Sequence, residues 1–183
     1  MMIAAADERE LVVRAQQGER QAFSDLVSTY RQGVIRVVYN ICGDGYQAED
    51  IAQEAFIRAW QKLPGYRPKA SFRSWLYRIA TNAALDAQRK AKPTIDLDTV
   101  QVADPSKGLE AGLVHRQRAE RIQQAILALP AASRSVLVLR EYENLSYQEI
   151  SDTLEIPVGT VMSRLNYARS KMRESLADML EAV

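Results

Sequence analysis

Glu49, Asp50 and Glu54 lie close together in the chain, and grouped carboxylates of this kind can do general acid–base work. They lack the partners that such chemistry needs. The chain carries one histidine, His115, and one cysteine, Cys42, so no catalytic pair or metal-ligand set has a sensible spacing. A Gly-rich phosphate loop of the Walker type is also missing. The composition therefore speaks against an enzyme and gives no reason to expect a cofactor or a metal. What the residues do offer is positive charge in two blocks. Residues 66–92 hold seven cations and one acid, and residues 155–173 hold four cations and one acid. Between the blocks, residues 93–112 carry four acids and one lysine. The formal net charge of +1 thus hides a polarised molecule, with cations placed to meet a polyanion at two separate points.

The elements that must position these charges are helical. In 183 residues, 47% are apolar and 26% charged, the balance of a globular chain of one or two domains. Aromatics are sparse at 7%, and helix formers dominate without long β-branched runs. No apolar run approaches the roughly 20 residues that span a bilayer, and the start lacks the basic-then-apolar order of a signal peptide. With no internal disulfide available, the expectation is a cytoplasmic protein with no membrane insertion.

Along the chain, Asp7-Glu8-Arg9-Glu10 reads as a capping box for a first helix that closes at Gly18. A second helix, about 20–42, carries Phe23, Leu26, Val27, Tyr30, Val34 and Val37 at helical spacing and stops at Gly43. Asp44 caps a third helix that Pro64-Gly65 ends, and Ser71 opens a fourth that lasts to about Ala91. Four helices with short connections predict one bundle over residues 7–92. Residues 93–112, with two prolines and two glycines, read as a flexible acidic linker. The helical pattern resumes at Leu113, so residues 113–180 form a second helical domain. Cys42, at a helix end, is expected to be a small packed thiol, and His115 an exposed bystander.

The second domain contains LSYQEISDTLEIPVGTVMSRLNYARSKMR, from Leu145 to Arg173. Ser146-Tyr147-Gln148-Glu149 is a capping box, so a helix should run from Tyr147 to Leu154. The break at Glu155-Ile156-Pro157 precedes a second helix that starts near Val158. Two short helices around a tight turn form a helix-turn-helix, whose second helix enters the major groove of DNA. At 100° per residue, Val161, Leu165, Ala168 and Met172 share the core side. Thr160, Ser163, Asn166, Tyr167 and Ser170 share the opposite side, with Arg164, Arg169 and Lys171 on its flanks. Short polar groups suit base edges and the cations suit phosphates. On periodicity alone, a solvated surface helix fits this pattern equally well.

Longer motifs add what periodicity leaves open. From Leu129, LPAASRSVLVLREYENLSYQEISDTLEIPVGTVMSRLNYARSKMR resembles the promoter −35-binding domain (region 4) of extracytoplasmic-function, or group 4, sigma factors of the sigma-70 family. In the first domain, AEDIAQEAFIRAW resembles that family's core-polymerase-binding helix in region 2, and SFRSWLYRIATNAALDAQRK its −10-recognition helix. The resemblance implies an all-α protein with two helical domains that binds core RNA polymerase and directs it to promoters. It recognises a −35 duplex and a melted −10 strand, and an anti-sigma factor is implied as an inhibitory partner. Asp50, Gln53, Glu54 and Ile57 resemble the surface that docks on the coiled-coil clamp of the polymerase's largest subunit. Tyr66, Arg67, Lys69 and Ser71 match the loop that receives an unstacked −10 base, with Asn82 offering donor and acceptor and Arg73, Arg78, Arg89 and Lys90 holding phosphates. Trp75 lies with Phe72, Leu76 and Ile79 on the apolar face and is expected in the core. Asp86 is expected as a structural hydrogen-bonding partner. On the −35 side the resemblance implies Arg140, Tyr147, Thr160, Ser163, Arg164, Asn166, Tyr167, Ser170 and Lys171. Family members often carry Arg where this chain has Met162, so the docking mode transfers while the base preference does not. The acidic linker resembles the segment that threads the polymerase cleft.

Two other readings compete. A free-standing helix-turn-helix regulator leaves AEDIAQEAF and the first basic block unexplained. A helical enzyme built on Glu49, Asp50 and Glu54 lacks the partners noted above.

Overall fold

The computed structural model describes residues 5–67, 71–91 and 109–181, with residues 5–6, 91, 109–115 and 180–181 described by backbone alone. The expected linker falls almost wholly outside these residues, as does Lys69, and the side chain of His115 is likewise not described. Every described element is helical, and no strand occurs among the described residues.

The first module consists of α1 (Ala5–Gln16), α2 (Arg20–Cys42), α3 (Gly45–Lys62), a short 3-10 turn (Leu63–Gly65) and α4 (Phe72–Ala91). Its helices approach closely because α3 turns a row of small residues inward: Ala48, Ala52, Ala55 and Ala59 are all buried. Bulk comes from α2, through Leu26, Val34, Val37 and Ile41, and from an aromatic group in which Trp75 lies 4.8 Å from Tyr66 and 5.6 Å from Phe72. Local signals end and start the helices as the sequence suggests. Gly43 takes a left-handed φ of 87° and closes α2, and the Asp44 side chain accepts from the backbone of Gln47 to cap α3 at 3.0 Å. Ser71 Oγ accepts from the Ser74 backbone at 3.1 Å and so caps α4.

The second module consists of α5 (Leu109–Ala128), α6 (Ala131–Glu141), α7 (Tyr147–Leu154), α8 (Val158–Ser175) and the short α9 (Ala177–Glu181). The capping box of α7 forms in full: the Glu149 backbone donates to Ser146 Oγ and the Ser146 backbone donates to Glu149 Oε2. Glu155, at φ 53°, ends α7, and Pro157 precedes α8.

Two local readings of the sequence differ from the structure. The chain is already helical at Ala5, so Asp7 sits inside the first turn of α1 and the capping box does not open that helix. Alanines extend a helix at little cost, and Glu8 instead accepts from the Tyr30 hydroxyl. Likewise α5 is helical from Leu109, four residues before the recognisable pattern, with Gly112 inside it.

The two modules pack together. Arg134 of α6, 7% exposed, donates through Nη1 to the Ile41 carbonyl at 2.6 Å and through Nη2 to the carbonyls of Leu127 and Leu129. A cation thereby sits at the C-terminal end of α2, where the helix dipole is negative and carbonyls lack partners within the helix. Beside it, Leu127 lies so near Gly43 that a Cβ there would stand 2.6 Å from Leu127 Cδ1. Glycine at this position therefore serves both the turn and the joint.

Candidate functional site

On α8, Val161, Leu165 and Ala168 are fully buried, while Ser163, Asn166, Tyr167 and Ser170 are exposed and Thr160 is half-buried. A polar strip thus faces outward along the whole second helix of the helix-turn-helix. Ser163 Oγ donates to the Thr160 carbonyl at 3.0 Å, which fixes its rotamer. The flanking cations are held within their own module: Arg169 donates to Glu141 at 2.7 Å and Lys171 to Glu174 at 2.7 Å. The hydrogen bond that Arg169 donates to Glu141, together with the carboxylate's charge, raises the pKa of Arg169, and Glu174 does the same for Lys171, so both remain cationic. Arg140 braces the turn before α7 by donating to the Leu145 carbonyl at 2.8 Å, with its guanidinium 5.3 Å from the Tyr147 ring centre. Arg140 and Tyr147 thus form one stacked unit at the entrance to the motif.

The α4 side is arranged differently. Arg67, Ser71, Asn82, Arg89 and Lys90 are exposed. Asp86 accepts from Arg89 at 2.9 Å. Asn82 and Arg89 share a groove of about 360 Å³ with Arg164 of α8, which brings side chains from both modules to one place. Tyr66 is buried rather than displayed. Its ring packs against Trp75 at a tilt of 45° and its hydroxyl pKa is raised by burial, so a nucleotide base would meet an edge of this aromatic group rather than an open ring face. Trp75 is half-buried at the rim of the core. Arg73 and Arg78 both reach across to the second module: Arg73 donates to the Glu143 carbonyl and Arg78 to the Glu155 carboxylate.

Between α2 and α3 runs a third feature, a groove of about 680 Å³. Its apolar floor is Phe23, Phe56 and Trp60, with Phe23 and Trp60 rings 4.9 Å apart. Asp50, Gln53 and Ile57 line its α3 wall, and Ile57 is 51% exposed. Glu54 stands outside the groove and pairs with Arg58 one turn on. A half-exposed isoleucine beside charged residues has the make-up of an interface anchor.

Sequence reasoning did not find Glu143, Arg134 or Gly33. Glu143 is held in the turn between α6 and α7, just before Asn144 at φ 54°. Its side chain is 4% exposed, yet its partners Arg36, Arg73 and Tyr77 lie 66 or more residues away in sequence. One signal was local: a glycine in the middle of a 23-residue helix costs about 1 kcal/mol against alanine and asks for a reason. Cys42 is half-buried as expected. Burial pushes its thiol up to about 11, against the pull of nearby Arg134.

Among the described residues no group of His, Cys, Asp and Glu could hold a metal ion, and no helix is long and apolar enough to cross a membrane. Residues 26–94 match the model of Sigma-70 region 2, and residues 119–172 match that of Sigma-70, region 4. The chain is 38% identical over 184 residues to the ECF RNA polymerase sigma factor SigW of Bacillus subtilis strain 168, covering 93% of this chain and 97% of that protein. It is 34% identical to the RNA polymerase sigma-H factor of Pseudomonas aeruginosa, covering 98% of each. The ECF RNA polymerase sigma-E factor of Escherichia coli K12 is 33% identical, covering 93% of this chain and 94% of that one. The fold is that of CnrH, solved in complex with the cytosolic domain of CnrY, with a TM-score of 0.73 at 24% identity over 96% of this chain and 98% of that one. Two helical modules in this order, matched nearly end to end by these relatives, mean that the chain belongs to the extracytoplasmic-function sigma factors of the sigma-70 family, non-enzymatic factors that direct RNA polymerase to promoters.

Proposed function

We propose that this sigma factor divides promoter recognition between its modules, reading the −35 duplex with α8 and the melted −10 strand with α4, while the α2–α3 groove receives the clamp helices of core RNA polymerase. The observation that carries this reading is the two-sidedness of α8. A fully buried Val161–Leu165–Ala168 row fixes the helix in place, and the opposite strip stays exposed for a major groove. In that strip Asn166 has the paired donor and acceptor that match adenine, while Lys171 and Arg164 serve phosphates. Arg67, ahead of α4, and Asn82, Arg89 and Lys90 on α4 supply cations and edge contacts to a single strand, with Trp75 at the rim of the receiving crevice. Binding the unstacked strand supplies the energy for opening, and no nucleotide hydrolysis is needed.

At the polymerase-facing groove, Ile57 inserts as an apolar anchor while Asp50 and Gln53 frame it, and Phe23 and Trp60 form the floor beneath. Two solved structures similar to this one are complexes with other proteins. One is CnrH with the cytosolic domain of CnrY, and the other is the sigma factor RpoE with the anti-sigma factor NepR from Bartonella quintana, at a TM-score of 0.69 and 20% identity. An anti-sigma factor competing for the α2–α3 groove is accordingly the partner proposed for this chain, which acts on DNA in the cytoplasm.

The test is transcription by purified core polymerase, with and without this protein, on a library of genomic fragments. Transcripts that depend on the protein and share a −35/−10 pair support the reading. Their absence overturns it.

A further inference from the structure

Large apolar side chains left in water are few among the described residues: Val13, Tyr46, Ile57, Met162 and Tyr167. Ile57 belongs to the polymerase-facing groove, and two of the other four lie on α8, where exposed bulk is therefore concentrated. Met162 is 48% exposed, although its neighbour Val161 is fully buried. It stands about 40° round the helix from Asn166, on the edge of the outward strip. A helical side chain of this length leans toward the N-terminus and covers the turn before its own Cα. On that turn sits Gly159, which is exposed and has nothing within 4 Å of where a Cβ would stand. Met162 therefore lies over bare backbone, near the end of α8 that enters a major groove first. With a thioether and no donor it gains nothing from a phosphate. The apolar group that a major groove presents is the C5-methyl of thymine, and a flexible, polarizable side chain can seat on it.

We propose that Met162 is a specificity-determining residue that makes the −35 preference of this chain depend on a thymine, by packing its thioether against that base's C5-methyl. This rests on the assignment of α8 to the −35 duplex and adds an apolar contact to the hydrogen bonds already placed there. Asn166 follows four residues later, about 6 Å further along the helix axis. Base pairs repeat about every 3.4 Å, so the thymine lies one or two base pairs from the adenine that Asn166 meets. The two side chains read a composite of one hydrogen-bonded base and one methyl group.

The test uses holoenzyme assembled from core polymerase and the full chain, on a promoter that it transcribes. In competing promoter duplexes each −35 thymine is replaced in turn by deoxyuridine, which keeps the base pair and removes only the methyl. The parent is expected to lose about fourfold in affinity at one thymine in that window, the worth of one buried carbon. Met162→Ala is expected to bind the thymine and deoxyuridine duplexes equally at that position and to keep any sensitivity elsewhere. The substituted side chain is exposed and alanine is the better helix former, so this variant folds. No sensitive thymine in that window, or one as sensitive in Met162→Ala as in the parent, overturns the proposal. Where this happens and Asn166→Ala still relaxes one −35 base pair, only the methyl contact is wrong. Where alanine at Met162, Asn166 and Lys171 alike leaves −35 binding unchanged, the assignment of α8 fails with it.

Discussion

The two cationic faces of this molecule are committed in opposite ways. On α8, Arg169 and Lys171 pair with Glu141 and Glu174 of the same module, and the polar strip between them faces solvent. On α4, Arg73 and Arg78 pair with Glu143 and Glu155, which belong to the other module. Exposed intramodule pairs are worth little and exchange readily for phosphates. A buried carboxylate with distant partners does not exchange without moving the module that carries it. The difference teaches that a cationic face can be complete in its residues and still have its charges paired from another domain.

The largest expected effect comes from destroying one face alone. Leu165, fully buried under α8, loses about 2–5 kcal/mol on substitution by alanine. Denaturant unfolding of Leu165→Ala is expected to show the second module melting early while the first bundle keeps its own transition. Next comes the joint. Arg134→Met leaves the carbonyls of Ile41, Leu127 and Leu129 without their buried donor and is expected to cost about 2–3 kcal/mol, seen as a lowered midpoint for both modules.

Smaller effects sharpen the contrast within α8. Asn166→Ala is expected to lose about 1–3 kcal/mol at one −35 base pair and to relax the preference there. Lys171→Ala weakens all sequences equally and lowers the salt slope by about one. Competition binding over a −35 variant set separates the two, and a uniform loss in Asn166→Ala contradicts the base-reading role. The smallest effect concerns Cys42. With its thiol pushed up to about 11, the folded chain holds less thiolate than the unfolded one at any pH below that value. Alkylation at pH 8 should therefore run up to roughly a hundredfold slower in the native chain than in denaturant, and equal rates refute the burial argument.

Most of the helical framework was legible in the sequence because its signals are local. The capping box at Ser146, the glycine stop at Gly43 and the apolar row on α8 each follow from residues within two turns of one another. The start of α1 was misread for the same reason: a capping pattern at Asp7 competes with helix-favouring alanines before it, and the alanines prevail. What could not be read was chemistry that depends on distance in sequence. Arg73 and Arg78 have the same composition whether they wait for phosphates or hold carboxylates. Only the fold brings Glu143 and Glu155 to them. Tyr66 shows the same limit, since the loop pattern gives its type but not the Trp75 ring that covers it.

Site-specific photocrosslinking in the assembled holoenzyme tests the division of labour most directly. A photoreactive side chain is placed at Tyr167 on α8 or at Asn82 on α4, and the crosslinked nucleotides are mapped on a promoter. The expected pattern is crosslinks from position 167 to the −35 duplex alone and from position 82 to the −10 non-template strand alone. Crosslinks from both positions to the same promoter element would contradict it.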